Sequence, residues 1–483
     1  MGLVVVGRSW SSRYGIRFVD GALIAVFLVI GAGFVRAALL SDPWTLSYMY
    51  AGVIFTSLGV MLLTASVGTA LWLSRAHADI HTTTASATRT NLIHKRSVGR
   101  RMPCPYPDAW YAVALSAELE PGAVVDVTVC GRSLVVFRPA DGGTPSALDA
   151  YCSHLGAHLA HGGAKLTSDG CLRCPFHGWC YDAAGKLKRT ETGDTPPTGS
   201  DLRAWPVLER NGVVSVWMAA AGHHRDAPST VAEAGKQGPE PARENHAVDS
   251  ERPWFETPRF KELDDAGPRA FVYHGMSEHI VPALIWELPE NGADIGHLSA
   301  LHSSFVVASL RPVMSHAWAA SWEADPTESH LARLTIVESM VFLGITLPGA
   351  VSVSITQCGP SQVYLAFNLP GIGRLYLIET VTPVAPTSQR VLHAIYAAPH
   401  VPRIVAKILL ASVVRAYEQD VAVWAHKRYE PTPRLTSSEA PIAAYRKWTR
   451  QFYASPRAVT FEAAQKAQLR IDLGLPEDET LSW

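Results

Sequence analysis

The amino-acid sequence predicts an α+β protein with two N-terminal transmembrane helices, a small antiparallel β domain and a larger domain built on an antiparallel sheet. Two long apolar runs occur before residue 75, and short alternating segments rich in valine begin near residue 107. Further strand-like segments precede a helical pattern near residues 409–429. At 483 residues the chain is long enough for two or three domains with cores of their own.

The two apolar runs predict a membrane anchor. Residues 21–40 carry one charge, Arg36, near the end of the run, and residues 51–73 carry none. Each run can span a bilayer, and a second span so close behind argues against a cleaved signal peptide. Arginine and lysine flank the pair on both outer sides but are absent from the loop 41–50, so both ends should face the cytosol. We expect a cytosolic N-terminus over 1–20, a transmembrane hairpin over 21–74 and a linker over 75–106.

Alternating segments such as Val124–Val129, separated by turn-forming pairs such as Gly142-Gly143, predict a small β domain over residues 107–220. Residues 221–252 are rich in Ala, Pro, Glu, Gly and His and poor in apolar residues, which predicts a disordered insertion. A third region, residues 253–483, follows it.

Charge and cysteine content narrow the possible functions. A formal net charge of −1, without basic clusters around aromatic residues, argues against a nucleic-acid partner. The seven cysteines are an odd number at irregular spacing, which predicts a reducing compartment and no disulfide framework.

The β domain contains two Cys-His pairs. Cys152-Ser-His154 is followed, after residues 155–173, by Cys174-Pro-Phe-His177, with a glycine directly behind each loop. Two thiolates and two imidazoles are the ligand set of a Rieske 2Fe-2S cluster, an electron relay in which cysteines bind one iron and histidines the other. Cys171-Leu-Arg-Cys174 could instead be half of a zinc site, but the sequence has no second C-x-x-C unit to complete it.

A second constellation lies in the third region, between Glu290 and His302. His297 and His302 are five residues apart, about 140° around a helix, so they can face one metal only if the helix is distorted, as at a π-bulge. Asp294, three residues before His297, is expected to accept the outer N–H of that imidazole. Taken alone, two histidines at this spacing also fit an ordinary core.

The Rieske ligands together with this N-x-x-D-x-x-H-x4-H motif resemble the Rieske non-haem iron oxygenases. The resemblance implies that His297 and His302 join a distant aspartate in a facial triad that holds ferrous iron and leaves positions open for dioxygen. It also implies catalytic roles for Asp294 and Asn291. The candidate third ligand is Asp420, an acid on the apolar face of the 409–429 helix, where a buried salt bridge is the alternative reason for it.

Five segments between the triad members are predicted antiparallel strands, and Gly371-Ile-Gly373 is predicted to be a hairpin turn between two of them. Such a sheet with a long helix packed on it resembles the helix-grip catalytic domain of these oxygenases. No flavin or nicotinamide motif is present, so NAD(P)H-derived electrons should arrive through a separate reductase. The strand segments are residues 333–342, 351–356, 363–368, 375–381 and 391–397.

Residues 103–111, 150–157, 289–302 and 445–453 resemble the Neverland-type cholesterol 7-desaturases more closely. The resemblance implies that cholesterol is desaturated between carbons 7 and 8 with dioxygen. It implies a homotrimer in which Asp294 links His297 to a Rieske histidine of the neighbouring subunit. It further implies a multi-pass protein in the bilayer of the endoplasmic reticulum, with its catalytic domains facing the cytosol. His158 and His161 depart from the pattern and leave the histidine ligand of the first loop open.

Two alternatives remain. The chain could be a Rieske oxygenase that hydroxylates or demethylates another steroid or hydrophobic substrate, since only pocket residues would differ. Apolar candidates for the pocket also fit ordinary core packing; they are Trp286, Leu288, Phe305, Phe342 and Tyr364. A membrane-bound Rieske electron carrier is the non-enzymatic alternative, but Ala157 and Phe176 stand where such carriers have disulfide cysteines.

Overall fold

The computed structural model describes residues 80–82, 101–102, 104–219, 252–264, 267, 269–303, 314–346, 350–453 and 459–460. The predicted N-terminus 1–20 and hairpin 21–74 lie outside these residues, as do most of the linker 75–106, nearly all of the insertion 221–252, and Phe305. Within the described part of the chain, no helix combines the length and apolar character that a bilayer crossing requires.

The smaller domain consists of three short antiparallel sheets. Its strands are β3 (Ala109–Leu115), β4 (Val124–Val129), β5 (Arg132–Phe137), β6 (Ser146–Asp149), β7 (Lys165–Leu166), β8 (Leu172–Arg173), β9 (Cys180–Tyr181), β10 (Leu187–Arg189), β11 (Ala204–Trp205), β12 (Val207–Arg210) and β13 (Val213–Met218). They pair in the orders β11-β6-β5-β4, β12-β13-β3 and β10-β9-β8-β7. All of them lie within the predicted β domain 107–220.

The larger domain is built on one sheet in the order β1-β14-β21-β20-β19-β18-β16-β15, with β17 paired to β16. Its strands are β1 (Ile80–Thr82), β14 (Val272–Val281), β15 (Met314–Ala324), β16 (Leu331–Phe342), β17 (Ile345–Thr346), β18 (Val351–Cys358), β19 (Gln362–Leu369), β20 (Gly373–Ala385) and β21 (Ser388–Ala397). All neighbours are antiparallel except β1 and β14. The five predicted strand segments are confirmed, and β14 and β15 complete the sheet. A separate small ribbon pairs β2 (Arg101–Met102) with β22 (Val459–Thr460).

The predicted hairpin turn between β19 and β20 is confirmed. Gly371 has a φ of +73°, a backbone conformation that residues with a Cβ rarely adopt. At Gly373, with a φ of +137°, an added Cβ would also lie 2.6 Å from His400 Nε2 and 2.7 Å from Val401 Cγ2. Glycine therefore serves the turn in two ways, through its conformation and through its lack of a side chain.

One helix, Arg403–Trp424, packs along the sheet and is called the long helix. It begins after Pro402 and ends at Trp424, earlier on both sides than the predicted 409–429. Its buried residues recur at spacings of three and four, as an apolar face requires. They include Leu410, Val414, Tyr417 and Val421, and Asp420 lies on the same face. The predicted acid on an apolar stripe is thus confirmed.

Buried hydrogen bonds join strand β3 of the smaller domain to the large sheet. Ser361 Oγ donates to the Trp110 carbonyl at 2.9 Å, and Gln362 Nε2 donates to the same carbonyl at 3.0 Å. Farther along, Thr382 Oγ1 donates to the Ala112 carbonyl at 2.9 Å. One continuous apolar core includes Trp110 together with residues of the large sheet. Both domains belong to one compact unit of the chain, which extends from residue 79 to 306 and from 313 to 483.

A buried ion pair fixes the segment before the histidine motif. Helix Glu287–Glu290, called the short helix, faces the C-terminal helix Ala440–Thr449. Glu290 is buried and is bound by both ends of the Arg446 guanidinium, at 2.6 Å from Nε and 3.1 Å from Nη2. Lys427 Nζ lies 3.3 Å from the second buried acid, Glu287. Ion pairs with Arg446 and Lys427 therefore hold the segment directly before the histidine motif.

Arg446→Met should lower the free energy of unfolding by about 3 kcal/mol, because it leaves the Glu290 carboxylate buried without its main partner. Urea unfolding followed by tryptophan fluorescence measures this change. The control is Lys186→Met, which breaks the exposed Lys186–Asp201 pair and should leave the midpoint nearly unchanged. Equal effects of the two substitutions would contradict the structural role of the buried pair.

Candidate active site

The two Cys-His loops have the same backbone geometry. In the first, the Cys152 amide donates to the Ala157 carbonyl and the Gly156 amide donates to the Cys152 carbonyl, both at 2.9 Å. Gly156 has a φ of +72°. Such a closed loop holds the thiol of Cys152 and the imidazole of His154 on the same side of the loop.

The second loop repeats these contacts. The Cys174 amide donates to the Trp179 carbonyl at 2.7 Å, and the Gly178 amide donates to the Cys174 carbonyl at 3.1 Å. Gly178 has a φ of +71°, and an added Cβ would lie 2.2 Å from Glu191 Oε2. The predicted need for glycine behind each ligand loop is thus met by backbone conformation.

The four predicted cluster ligands converge between the loops. Cys152 and Cys174 are buried in a small apolar core of this lobe, whereas His154 and His177 are exposed and their ring centroids lie 4.7 Å apart. Burial raises the pKa of the Cys152 thiol, with the hydrogen bond from Tyr181 opposing it, so a metal-free thiolate is disfavoured there. Two inner sulfurs and two outer imidazoles fit a Rieske cluster, with its histidine-bound iron nearer the surface.

The other histidines and cysteines of this lobe form separate contacts. His158 and His161 rings lie 4.5 Å apart, His158 Nδ1 accepts from the Ala160 amide at 3.2 Å, and His161 Nε2 lies 3.5 Å from Asp126. They therefore group with each other and with Asp126, which leaves His154 as the histidine of the first loop. Two groups of three closely spaced metal-ligand atoms occur among the described residues, and neither includes Cys171.

The histidine motif contains a helix of two turns, Ile295–Leu301, and the residues that cap it at both ends. Asp294 is its N-cap, and His302, with a φ of −106° and a ψ of 7°, is its C-cap. His302 has thus left helical geometry, which lets its side chain turn back towards His297; the ring centroids are 5.2 Å apart. The predicted departure from regular helical geometry is therefore found, but as the end of the helix and not as a π-bulge.

The expected role of the Asp294 carboxylate towards the His297 ring is wrong. Asp294 Oδ1 accepts from the His297 backbone amide at 3.3 Å, the usual contact of an N-cap residue. The His297 ring instead contacts Asp294 through its backbone carbonyl, which faces Nδ1. The free N–H groups at the start of a helix compete with the imidazole ring for a carboxylate at the N-cap. Here the carboxylate of Asp294 binds the backbone amide and not the ring. The carbonyl can still fix the ring orientation.

Asp420 meets the motif from the long helix. His302 Nε2 lies 3.1 Å from Asp420 Oδ1, and both side chains are buried. No lysine or arginine among the described residues forms an ion pair with Asp420, but a protonated His302 does so at this distance, so the salt-bridge alternative is met by His302 when no metal is bound. One ligand atom from each of His297, His302 and Asp420 lies within 4.8 Å of the others. Two imidazoles and one carboxylate fit a facial triad for ferrous iron.

Gln419 was not singled out from the sequence. Its Oε1 lies 3.0 Å from His302 Nδ1, across 117 residues of chain, and it can accept the proton there. Burial lowers the pKa of His302, but the hydrogen bond and charge of Asp420 and the contact with Gln419 outweigh it, so the pKa is raised overall. A metal would therefore compete with a proton for Nε2. No sequence pattern marks Gln419, because it precedes Asp420 directly and shares no periodicity with the motif.

Asn291, predicted to be catalytic, follows the short helix as its C-cap. Its amide donates to the Leu288 carbonyl at 3.1 Å, and its carbonyl accepts from the Asp294 amide at 3.2 Å. Asn291 is half-buried. The backbone of this residue thus shapes the turn into the motif helix, and a catalytic role for its side chain stays a prediction.

The proposed pocket residues are mostly core residues. Trp286, Leu288 and Tyr364 are at most 5% exposed and belong to apolar cores, and the Tyr364 hydroxyl donates to Gln362. Phe342 is 42% exposed at the end of β16, opposite Ile345 of β17. The burial of the other three agrees with core packing, and a role in the substrate pocket stays a prediction.

Comparison with known proteins gives the family. A model of the Rieske [2Fe-2S] domain matches residues 109–206, and a model of the 3-ketosteroid 9alpha-hydroxylase C-terminal domain matches residues 245–453. The cholesterol 7-desaturase of Xenopus laevis is 33% identical over 78% of this chain and 78% of its own length. That of Bombyx mori is 33% identical over 76% of this chain and 74% of its own length.

Solved structures agree with the fold. NdmB of Pseudomonas putida CBB5 superposes with a TM-score of 0.50 at 17% identity, covering 72% of this chain and 93% of the other. Likeness at this identity concerns the fold alone, whereas the relatives above share sequence across both iron-ligand regions. The chain belongs to the Rieske oxygenases, in the family of the cholesterol 7-desaturases.

Proposed function

We propose that this protein desaturates cholesterol between carbons 7 and 8, giving 7-dehydrocholesterol. The reaction removes two hydrogen atoms from the sterol, and dioxygen with two electrons and two protons yields two molecules of water. The observation that carries the proposal is the triad of His297, His302 and Asp420 in a chain that also holds Rieske ligand loops. A plain electron carrier has no use for this triad. Its relatives at 33% identity are cholesterol 7-desaturases.

The residues of the site hold and orient the groups that the reaction needs. Ferrous iron, bound by the triad, supplies open coordination positions for dioxygen, and the Rieske cluster supplies single electrons. With iron bound, Gln419 would accept the Nδ1 proton of His302 and so leave the Nε2 lone pair for the metal that His302 and Asp420 share. The Asp294 carbonyl acts in the same way on His297. The buried side chains of His302 and Asp420 exclude bulk water from this side of the centre.

Electrons enter at the surface of the Rieske lobe in this proposal. Leu155 and Phe176, next to the two exposed histidine ligands, are 65% and 63% exposed, so apolar surface surrounds the outer edge of the cluster. A separate NAD(P)H-dependent reductase, or its carrier, would use this edge. We also propose a homotrimer in which a Rieske histidine of one subunit approaches Asp294 of the next; Asp294 is only partly buried where it caps its helix.

A membrane location suits the substrate. Cholesterol is dissolved in bilayers, and the two apolar runs of residues 21–40 and 51–73 would keep the enzyme beside it. The basic residues outside the pair and their absence between them support a multi-pass protein with its catalytic domains in the cytosol. We propose the endoplasmic reticulum as its membrane.

A second candidate is hydroxylation of another steroid. The match of residues 245–453 to the 3-ketosteroid 9alpha-hydroxylase C-terminal domain favours it. Because both reactions need the same iron ligands, the ligands cannot distinguish them, and the identity of the sterol product has to.

The direct test is mass spectrometry of sterols from membranes of cells that express this chain, supplied with cholesterol and NADPH. We expect 7-dehydrocholesterol from the wild type and none from His297→Ala, because the variant lacks one of three iron ligands. A hydroxylated sterol in place of the diene would favour the second candidate. Product from His297→Ala at the wild-type rate would contradict the iron assignment.

Asp420→Asn should abolish product and lower the iron content from three to two per chain, because the amide is a poor ligand and the Rieske cluster is untouched. Iron analysis and the electron paramagnetic resonance of the reduced cluster measure the two sites separately. Glu418→Gln is the matched control: it also removes an acid from the long helix, but Glu418 is outside the triad. Three irons in Asp420→Asn would rule out Asp420 as a ligand.

Tyr181→Phe should lower the reduction potential of the Rieske cluster by on the order of 50 mV, the equivalent of one hydrogen bond of about 1 kcal/mol. The Tyr181 hydroxyl lies 3.2 Å from Cys152 Sγ and can donate to the thiolate, which favours the reduced cluster. Redox titration measures the shift. In Tyr111→Phe, which removes a hydroxyl bound to the Pro107 carbonyl, the potential should not change. An unchanged potential in Tyr181→Phe would show that this hydroxyl does not act on the cluster.

A further inference from the structure

A buried polar row crosses three neighbouring strands of the large sheet beneath the long helix. Ser277 of β14 is opposite His393 of β21, which is opposite Glu379 of β20. Ser277 Oγ lies 3.3 Å from His393 Nδ1, and His393 Nε2 lies 3.1 Å from Glu379 Oε2. Residues that are directly opposite share one face of the sheet, and so does His279, two residues after Ser277. The row thus brings several polar groups to the face that the long helix covers.

Two members of this region lack the partners that their burial requires. His279 is 0% exposed, and neither of its ring nitrogens has a hydrogen-bond partner among the described residues. Tyr417 of the long helix is 5% exposed, and its hydroxyl lacks a partner there as well. The two rings are 5.3 Å apart, and the His393 ring lies 4.6 Å from that of Tyr417. Buried polar atoms without partners are costly, so adjacent ones indicate a group that binds between them.

The position of this pair relates it to the iron centre. Tyr417 and Asp420 are three residues apart on the buried face of the long helix, a separation of about 4.5 Å along the axis. Tyr417 belongs to an apolar core cluster that also includes Val281 of β14 and, four residues farther along the helix, Val421. A ligand between helix and sheet would therefore meet one polar end and an apolar wall, one helical turn from the metal-binding carboxylate.

The chemistry of the pair selects the ligand. Burial and the neighbouring His393 lower the pKa of His279 to about 3, so the imidazole is neutral and offers one donor and one acceptor. The Tyr417 hydroxyl also donates and accepts. An uncharged pair that can do both suits an alcohol better than a carboxylate, which needs a positive partner, or a ketone, which only accepts.

We propose that His279 and Tyr417 bind the hydroxyl group at carbon 3 of the sterol substrate. This inference rests on the proposed function, since the hydroxyl is the only polar group of cholesterol. Bound there, the hydroxyl anchors the first ring of the sterol one helical turn from Asp420 and presents the second ring, which carries carbon 7, to the iron side. Sterols without this hydroxyl leave the buried pair unsatisfied and bind weakly.

The test compares cholesterol with cholest-5-ene, which differs only in lacking the hydroxyl, using the full-length enzyme with its reductase. The wild type should show a kcat/KM for cholesterol about 10- to 100-fold above that for cholest-5-ene. In Tyr417→Phe and His279→Phe the value for cholesterol should fall and that for cholest-5-ene should hold, so the ratio approaches one. Tyr453→Phe is the matched control, because its buried hydroxyl also lacks a partner among the described residues. It should retain the wild-type ratio.

Three outcomes would overturn the inference. If the wild type treats both sterols alike, or if the variants slow both sterols equally, the pair is part of a hydrated structural network. In either case the desaturase assignment stands, since cholesterol is still converted. If the wild type converts neither sterol, the proposed function has failed and the hydroxyl site fails with it. Should Tyr417→Phe lose its Rieske signal through misfolding, the wild-type ratio and His279→Phe still decide.

Discussion

The buried carboxylate of Asp420 is the constraint on which the catalytic domain depends. A carboxylate on the apolar face of a helix is stable only opposite a positive or metal-bound partner, since burial without one is costly. Here that partner is supplied by the histidine motif, which the chain places 118 residues earlier. The sheet therefore has to position both the long helix and the motif helix so that His302 Nε2 and Asp420 Oδ1 lie 3.1 Å apart.

The same requirement explains the charged groups around the short helix. Glu287 and Glu290 are buried directly before the motif, where burial raises the pKa of Glu287 and the nearby Lys427 opposes that rise. Arg446 clamps Glu290 from the C-terminal helix and also lies over the Trp286 ring at 5.5 Å. The position of the iron ligands is thus set by an ion network several residues away. Gly292 adds a packing constraint, because an added Cβ would lie 2.7 Å from Leu334.

Much of this architecture could be predicted from the sequence where the signal is local. Alternating residues mark the strands, and the spacing of the Cys-His pairs marks the cluster ligands within two short loops. Asp420 could be predicted as a ligand because an acid on the apolar face of a helix needs a partner. The contacts of Asp420 and Gln419 with His302 could not be predicted, because strand register and helix placement decide which residues 117 or 118 apart meet. Asp294 shows a different limit: spacing places it near His297, but capping decides whether its carboxylate binds ring or backbone.

The hydrogen bonds from Ser361, Gln362 and Thr382 to strand β3 also determine how charge can move through this molecule. Iron-sulfur domains on hinges shorten the tunnelling distance to their acceptor by swinging towards it. The Rieske lobe and the triad sit in one unit with a shared apolar core, so that motion would break buried polar contacts and expose apolar surface. Within one subunit the separation of the Rieske lobe and the triad is therefore a constant of the fold. Because transfer in the proposed trimer runs between subunits, its distance depends on how rigid subunits pack and not on a hinge inside the chain.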